Sequence, residues 1–189
     1  MAEVKILFEG YSKEENGKVR ANCTITLIKS EKNVLVDTGV PGDAEKIIAK
    51  LKEEGLTHED IDIVVYTHGH PDHIGNVGMF PSAKIISFGD VNYRDEFEFF
   101  EYNYKINDEI EVIKTPGHTA YDISVIVKIL EGIVVVSGDC FENENDNEET
   151  ELSKPWSHDW ESHLKSRKKI LELADYIVPG HGKMFKVNK

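Results

Sequence analysis

Residues 67–73 of the chain read Thr67-His68-Gly69-His70-Pro71-Asp72-His73 and come just after a β-prone run at 61–65. In a loop at the end of a strand, side chains need not alternate between two faces, so several can converge on one point. Gly69 permits unusual backbone dihedrals and Pro71 fixes one, which favours a tight ligand loop. Imidazole and carboxylate groups together suit zinc, and iron or manganese also accept them. The stretch therefore predicts a metal site with four potential ligands: His68, His70, Asp72 and His73.

Further residues of the same chemical types lie in similar loops. His118 follows Pro116-Gly117, and His181 lies in Pro179-Gly180-His181-Gly182. Asp139 comes just after an apolar run at 134–136. A single histidine is more often a surface residue or a hydrogen-bonded core residue. Imidazole and carboxylate groups collected beside glycine at strand ends are hard to explain by packing, so we expect these three residues to join the same metal site.

The hydrophobic pattern predicts strands followed by a helix, twice over. The first helix opens after Pro41-Gly42-Asp43 and ends at Gly55, since its apolar residues recur at helical spacing: Ala44, Ile47, Ile48 and Leu51. A second helix is predicted over 155–174. Strands are predicted over β-rich runs: 4–9, 24–28, 34–36, 61–65, 85–86, 110–113, 123–129, 133–136 and 176–178. This order favours an α/β fold of the αββα type, two packed sheets with helices outside, as a single domain over 1–189.

The stretch 67–73 resembles the HxHxDH signature of the metallo-β-lactamase superfamily. Other motifs of that superfamily appear in order along the chain: Leu35-Val36-Asp37-Thr38-Gly39, His118, Gly138-Asp139 and Gly180-His181-Gly182. A closer resemblance, to the metallo-β-lactamase domain-containing protein 1 type, spans nearly the whole chain. It rests on these segments: 7–12, 73–76 with 80–81, 137–139 with 141–142, 166–169, 174–175 and 178–182.

The resemblance implies a centre of two zinc ions. It implies these ligands: His68, His70 and His118 for the first ion, Asp72, His73 and His181 for the second, and Asp139 bridging them. A hydroxide between the ions would be the nucleophile, and Asp72 would also orient it, so Asp72 and Asp139 are the catalytic candidates. Asp37 matches a carboxylate that lies beneath the site and orients the ligands without binding metal. Thr67 and Thr119 are candidate hydrogen-bond donors near it, or ordinary strand-end threonines.

Composition narrows the setting in which the protein acts. The chain has 35 acidic and 22 basic residues, a formal charge of −13. Such a charge disfavours tight binding of long nucleic acid, although metal ions can reverse the local field for a short phosphodiester. Two cysteines, Cys23 and Cys140, make a disulfide framework improbable and indicate a reducing compartment. The sequence shows neither a signal peptide nor a membrane-length apolar run, so we expect a cytoplasmic protein without a membrane partner.

Segments outside the motifs leave alternatives open. The aromatic segment 93–104 could line a substrate pocket, form a homodimer contact or pack in the core. The acidic run 142–151 is typical of a solvated loop, and could also screen the pocket against anions. The basic residues of 165–169 could bind phosphate, but such runs are more often a solvated helix face. Cys140 is expected to point into the core, and His158 and His163 to lie at a solvated helix start or in the wall of the cleft.

Three functions fit these observations. The first is hydrolysis of an ester-type substrate, either a small molecule or a short nucleic acid: a phosphodiester such as RNA, a thioester or a lactone. The RNA option follows from the closer resemblance, whose vertebrate member is associated with RNA cleavage. The second is a mononuclear iron persulfide dioxygenase, a branch of the same superfamily that retains much of the His/Asp pattern. The third is a non-catalytic scaffold in which metal only stabilises the fold, against which the full set of ligand-type residues argues.

Overall fold

The β-prone runs form strands, in a computed structural model that describes residues 1–147 and 149–188. Within these residues the strands are β1 (Glu3–Phe8), β2 (Tyr11–Glu15), β3 (Lys18–Asn22), β4 (Ile25–Lys29), β5 (Asn33–Val36), β6 (Ile63–Val65), β7 (Lys84–Ser87), β8 (Asp90–Tyr93), β9 (Glu96–Phe99), β10 (Tyr104–Lys105), β11 (Ile110–Lys114), β12 (Ile123–Ile129), β13 (Gly132–Gly138), β14 (Tyr176–Pro179) and β15 (Phe185–Lys186). Every strand predicted from the sequence is present. The polar hairpin of β2 and β3 carries no apolar alternation and was not predicted.

The strands form two large sheets, the first from the N-terminal part of the chain and the second from the C-terminal part. The first sheet has the order β1-β4-β5-β6-β7-β8-β9, and the second has the order β10-β11-β12-β13-β14-β15. The hairpin of β2 and β3 stands apart from both. In the first sheet β5, β6 and β7 run parallel, and in the second sheet β13 and β14 run parallel. The turn at 130–131 joins β12 to β13 as an antiparallel hairpin.

The helices are α1 (Ala44–Glu53), the short α2 (Pro71–Ile74) and α3 (Trp160–Leu173). In α1 the predicted apolar face is only partly correct, because Ile47 and Leu51 are buried while Ile48 is 43% exposed. The predicted start of the second long helix at residue 155 is wrong. The helix begins at Trp160, because the Asp159 carboxylate accepts hydrogen bonds from the first free backbone amides, which fixes the N-terminus there.

Apolar side chains form three layers of contact that hold the elements together. Between the sheets, Val36 and Val65 of the first sheet belong to one cluster with Val125 and Val136 of the second. On the outer face of the first sheet, α1 packs through Ile47 and Leu51 against Leu27, Leu35 and Val64. On the outer face of the second sheet, α3 packs through Ile170 against Ile126, Val135 and Ile177. The predicted αββα sandwich is confirmed.

One loop departs from its prediction as a solvated segment. The loop after β13 folds onto α3 through a buried ion pair, in which Arg167 Nη1 lies 2.8 Å from Asp146 Oδ2 and both side chains are almost fully buried. The Arg167 guanidinium also stacks 4.1 Å from the centre of the Phe141 ring. The interpretation of 165–169 as a solvated face is therefore wrong for Arg167. Glu148 of the acidic run lies outside the described residues.

The sheets end in loops on the same side of the molecule. Because β5, β6, β11, β13 and β14 all point in one direction within the sandwich, their carboxyl ends meet along one rim. The candidate site residues follow these strand ends or lie in α2. No helix in the described ranges is long and apolar enough to cross a membrane.

Candidate metal centre

Three imidazole nitrogens meet at the rim between the sheets. His68 and His70 follow β6 of the first sheet, and His118 follows β11 of the second. His70 Nδ1 lies 2.9 Å from His68 Nε2 and 3.0 Å from His118 Nε2. Together with Asp139 they form the first ligand group, whose ligand-type atoms all lie within 4.8 Å of one another.

Asp139 lies between two sets of histidines. Its Oδ2 is 3.3 Å from His118 Nε2 and 3.3 Å from His181 Nε2, and 3.7 Å from His68 Nε2. Its Oδ1 is 3.1 Å from His73 Nε2. One carboxylate thus reaches imidazoles from both sheets, which is the geometry expected of a residue that bridges two ions.

The second ligand group consists of Asp72, His73 and His181, whose ligand-type atoms also lie within 4.8 Å of one another. Asp72 Oδ2 lies 3.8 Å from His73 Nε2 and 3.7 Å from His181 Nε2. The Asp72 side chain is 20% exposed, whereas the side chain of His73 is fully buried. Asp72 therefore stands between the buried histidines and solvent, on the side from which a substrate or water arrives.

Asp37 and Thr67 fix the orientation of two of the rings. Asp37 Oδ2 accepts a hydrogen bond from His73 Nδ1 at 2.8 Å and from the Thr67 hydroxyl at 2.9 Å, and Oδ1 accepts from Thr67 N at 2.7 Å. Thr67 Oγ1 lies 3.2 Å from His68 Nδ1. With the Nδ1 protons held in this way, the Nε2 lone pairs of His68 and His73 face the ligand groups. This matches the role that the resemblance implies for Asp37.

Helix α3 holds the loop that carries His118. Asp159 N and the Ser157 hydroxyl both donate to Gly117 O, at 3.0 and 2.8 Å. His163, fully buried, hydrogen-bonds with Cys140 O at 3.0 Å through Nε2 and with the Ser157 hydroxyl at 3.0 Å through Nδ1. Gly117 is required here, because its φ is +150° and a Cβ would overlap the His163 backbone. His163 therefore lies beneath the site, and its predicted place at a solvated helix start is wrong, whereas His158 is exposed.

Charge is distributed unevenly among these buried groups. Burial alone would lower the pKa of His73, but the Asp139 and Asp37 carboxylates together hold that pKa well above its usual value. Burial would lower the pKa of His181 as well, but the charge of Asp139 and its hydrogen bond with His181 raise that pKa to about 9. Burial lowers the pKa of His118 to about 4. Protonated and neutral imidazoles thus lie side by side around Asp139, and a metal ion entering the second ligand group must displace protons.

The residues present fit a pair of zinc-type ions. Ligand atoms about 2.0–2.1 Å from a tetrahedral Zn²⁺ lie about 3.3 Å from one another. Four of the six distances within the first ligand group run from 2.9 to 3.7 Å, and all six lie within 4.8 Å. In addition, His73 Nε2 and Asp139 Oδ1 are buried and find no hydrogen-bond partner of good geometry among the described residues. A cation in each group would satisfy these atoms, since buried polar groups are normally paired.

The structure brings together all seven residues that the sequence proposed as ligands, and it adds residues that the sequence did not indicate. The Glu142 carboxylate is 8% exposed and lies within 4.8 Å of ligand-type atoms of Asp139 and His181. Its position three residues after Asp139 could have indicated a place near the site. It also begins the acidic run 142–151, which is typical of a solvated loop. Cys140 points into the core as expected, and Cys23 is buried beside His73.

The aromatic segment 93–104 divides between core and surface. Phe100 and Tyr104 pack against the cluster between the sheets. Phe97 and Phe99 are 58% and 79% exposed and stack with ring centres 6.4 Å apart. No described residue of this segment lines the cavity beside His70. A homodimer contact through the exposed rings stays a prediction.

Comparison with known proteins places this fold and site in one family. A profile described as the metallo-β-lactamase superfamily matches residues 19–107. Metallo-β-lactamase domain-containing protein 1 of Xenopus laevis is 38% identical over 194 residues, with 98% of this chain and 82% of that protein covered. The chain belongs to the metallo-β-lactamase superfamily. The closer resemblance predicted from the sequence, to the domain-containing protein 1 type, is confirmed by the same relative.

Two further relatives carry names that describe a chemistry. A protein of Methanocaldococcus jannaschii, described as a probable metallo-hydrolase, is 39% identical over 183 residues, with 94% of this chain and 86% of that protein covered. A solved structure of AidC, a dizinc quorum-quenching lactonase, has N-hexanoyl-homoserine as bound product. It superposes on this chain with a TM-score of 0.67 at 20% identity, and the match covers 87% of this chain and 73% of that one. At that identity the likeness shows the fold alone.

The role of Asp37 gives a first prediction. Asp37→Asn should weaken zinc binding by about 10- to 100-fold, the usual cost of losing a residue that orients a metal ligand. The amide has one acceptor oxygen, so it cannot accept from Thr67 N on one side and from the Thr67 hydroxyl and His73 Nδ1 on the other, as the carboxylate does. Asparagine also tolerates the left-handed backbone of residue 37, whose φ is 62°, so the fold should survive. Competition with a chromophoric chelator measures the affinity, and an unchanged affinity with normal circular dichroism would contradict the role.

Proposed function

We propose that the protein is a dinuclear zinc-dependent hydrolase that acts on an ester-type substrate, a phosphodiester, thioester or lactone, in the cytoplasm. The observation that carries the proposal is the position of Asp139 between two groups of imidazoles, within 3.1–3.7 Å of four Nε2 atoms. A single structural zinc site would use one closed group of four ligands. Two groups that share a carboxylate and open towards solvent at Asp72 fit catalysis better than scaffolding.

The candidate ligands would bind the two ions as follows. His68, His70 and His118 would hold one ion, Asp72, His73 and His181 the other, and Asp139 both. Two bound ions would lower the pKa of water and polarise the electrophile, as dinuclear sites do.

Around that centre, Asp72 would face the second ion with Oδ2, the oxygen nearest His73 and His181, and its other carboxylate oxygen would orient the attacking water and accept its proton. Asp37 and Thr67 would keep the rings of His68 and His73 turned toward the centre.

The alternative is an iron-dependent dioxygenase acting on persulfides, for which three histidine or carboxylate ligands and one ion suffice. The second ligand group argues against it. Asp72, His73 and His181 have their ligand-type atoms within 4.8 Å of one another. A mononuclear enzyme would leave this second group without an ion, so the close approach of its three ligand-type atoms favours two ions.

The test begins with metal content per chain, measured by elemental analysis on protein purified without added metal. We expect close to two zinc ions, and His118→Ala should reduce this to about one while it removes turnover of phosphodiester, thioester and lactone substrates. About one iron per chain with little zinc, together with oxygen uptake when a persulfide is added, would replace the hydrolase with the dioxygenase.

A further inference from the structure

A cavity of about 470 Å³ opens beside the first ligand group. His70 forms part of its wall, and the rings of Tyr66, Phe88 and Tyr121 form much of the rest. The Phe88 and Tyr121 rings meet edge to face with their centres 5.4 Å apart. No Lys, Arg, Asp or Glu is among the described residues that line the cavity. Its size is that of a small-molecule site.

Lys114 lies next to Phe88, a residue of the cavity wall, but its ammonium group already has interaction partners. Lys114 Nζ lies 4.5 Å from the centre of the Phe88 ring and 5.6 Å from that of Phe100. It is also 3.5 Å from the Phe100 carbonyl oxygen, to which it donates. Lys114 is not among the lining residues. The ammonium group therefore interacts with two rings and a carbonyl, and a substrate phosphate in the cavity would have no basic side chain to bind.

His70 joins the cavity to the first ligand group, because it lines the one and belongs to the other. Gly69 also lines the cavity, and a Cβ built on it would meet no atom within 4 Å outside its chain neighbours, so it borders open space. A group seated against Phe88 and Tyr121 would thus have its reacting bond beside His70. The cavity and the candidate metal centre form one continuous site.

We propose that this cavity takes an uncharged, apolar part of the substrate, so that the bond cleaved is that of a neutral carboxylic ester, thioester or lactone and not that of a phosphodiester. This inference rests on the proposed hydrolase function and narrows its substrate class. Burial of methylene groups against the three rings supplies the binding free energy. The formal charge of −13 also disfavours the approach of a long polyanion.

The reaction balances without a further reactant. The oxygen of water forms a bond to the acyl carbon, and the acyl C–O or C–S bond breaks. The electron pair of that bond stays on the leaving oxygen or sulfur, which takes a proton derived from water. The acid product keeps its apolar chain in the cavity until it dissociates.

The first arm of the test is a series of 4-nitrophenyl esters from acetate to hexanoate with the zinc-loaded protein. We expect kcat/KM to rise about fourfold for each added methylene, the ratio that corresponds to its transfer into an apolar site. Bis(4-nitrophenyl) phosphate, a phosphodiester with the same leaving group, should be cleaved in the same assay with a lower kcat/KM than the hexanoate. A flat dependence on chain length, or faster cleavage of the phosphodiester, would overturn the inference.

Two variants locate the effect. Tyr121→Ala removes one wall of the cavity, and its side chain is 68% exposed, so the fold should tolerate the change. We expect the hexanoate to lose about tenfold in kcat/KM while the acetate changes little. Tyr102→Ala is the matched control, since Tyr102 is 76% exposed and does not line the cavity. An equal loss of hexanoate activity in both variants would show that the cavity is not the binding site.

The second arm tests the cavity without turnover. N-hexylacetamide, which is uncharged and stable, is titrated into chelator-treated, ¹⁵N-labelled protein and followed by NMR. The amides of Gly69 and Thr119 should shift in the wild type and stay in place in Tyr121→Ala. If these shifts occur but no ester is hydrolysed, the proposed hydrolase fails and the apolar ligand class stands. If the wild-type cavity shows no shift, the inference is wrong whatever the turnover.

Discussion

Asp139→Asn should remove nearly all hydrolytic activity and lower the zinc content, while the protein stays folded. The Asp139 carboxylate lies within 3.1–3.7 Å of Nε2 atoms from both ligand groups, and asparagine has the same shape without the charge. Loss of a residue that only orients a ligand costs about 10- to 100-fold. Loss of the carboxylate common to both groups should therefore cost more than about 100-fold in kcat/KM. Steady-state kinetics and elemental analysis on the same sample measure both effects.

Asp122→Asn is the matched control for this experiment. Asp122 is also a buried carboxylate of the rim, and its Oδ2 accepts hydrogen bonds from Gly117 N at 3.0 Å and Thr119 N at 2.7 Å. Burial raises the pKa of Asp122 to about 6, so its charge is disfavoured relative to water, and an amide oxygen at the Oδ2 position can accept both backbone N–H bonds. This variant should keep its zinc and most of its activity. Full zinc content and wild-type kinetics in Asp139→Asn would refute the bridging role.

Arg167→Leu should destabilise the protein by about 3–5 kcal/mol, the cost of leaving one member of a buried ion pair without its partner. The Arg167 guanidinium donates to Asp146 Oδ2 at 2.8 Å, to Cys140 O at 3.1 Å and to Asp146 O at 2.9 Å. Leucine fills part of the space, but the Asp146 charge would remain buried beneath the loop. Urea unfolding of the chelator-treated protein, followed by circular dichroism, measures the difference in the free energy of unfolding.

Two further variants separate charge from packing. Lys168→Leu makes the same chemical change at the next, exposed position of α3 and should alter the free energy of unfolding by less than about 0.5 kcal/mol. The double variant Arg167→Leu/Asp146→Asn removes the stranded charge and should recover part of the loss. If Arg167→Leu is as stable as Lys168→Leu, the ion pair does not stabilise this loop.

The layer architecture and the collection of ligand-type residues could be predicted because both depend on local pattern. The runs at 34–36, 61–65, 123–129 and 133–136 are rich in Ile and Val, as expected of largely buried strands, and a strand forms within each. His68, His118, Asp139 and His181 follow strand ends beside glycine. Strands that run in one direction place their ends at the same rim, so local position was enough to indicate proximity.

Features that depend on long-range contacts could not be predicted. Arg167 has an ordinary helical, lysine-rich neighbourhood, and only the docking of the loop after β13 explains its burial. Nothing near His163 signals that its ring reaches Cys140 O, twenty-three positions earlier in the chain. The start of α3 was misplaced because Pro155 is a good first residue of a helix, and Asp159 is a better cap. Pairings of this kind arise from tertiary packing and leave no periodic trace in the sequence.

The division of the candidate ligands between the two sheets constrains when the protein can acquire metal during biosynthesis. The first sheet contributes His68, His70, Asp72 and His73, but neither ligand group is complete without residues that follow β11, β13 and β14. A nascent chain that has folded only its N-terminal half therefore offers an incomplete set of ligands. The first ligand group needs Asp139 after β13, and the second needs His181, which is available only once β14 has been synthesised and has docked beside β13. Complete metal loading is therefore expected to be a late event that reports completed folding.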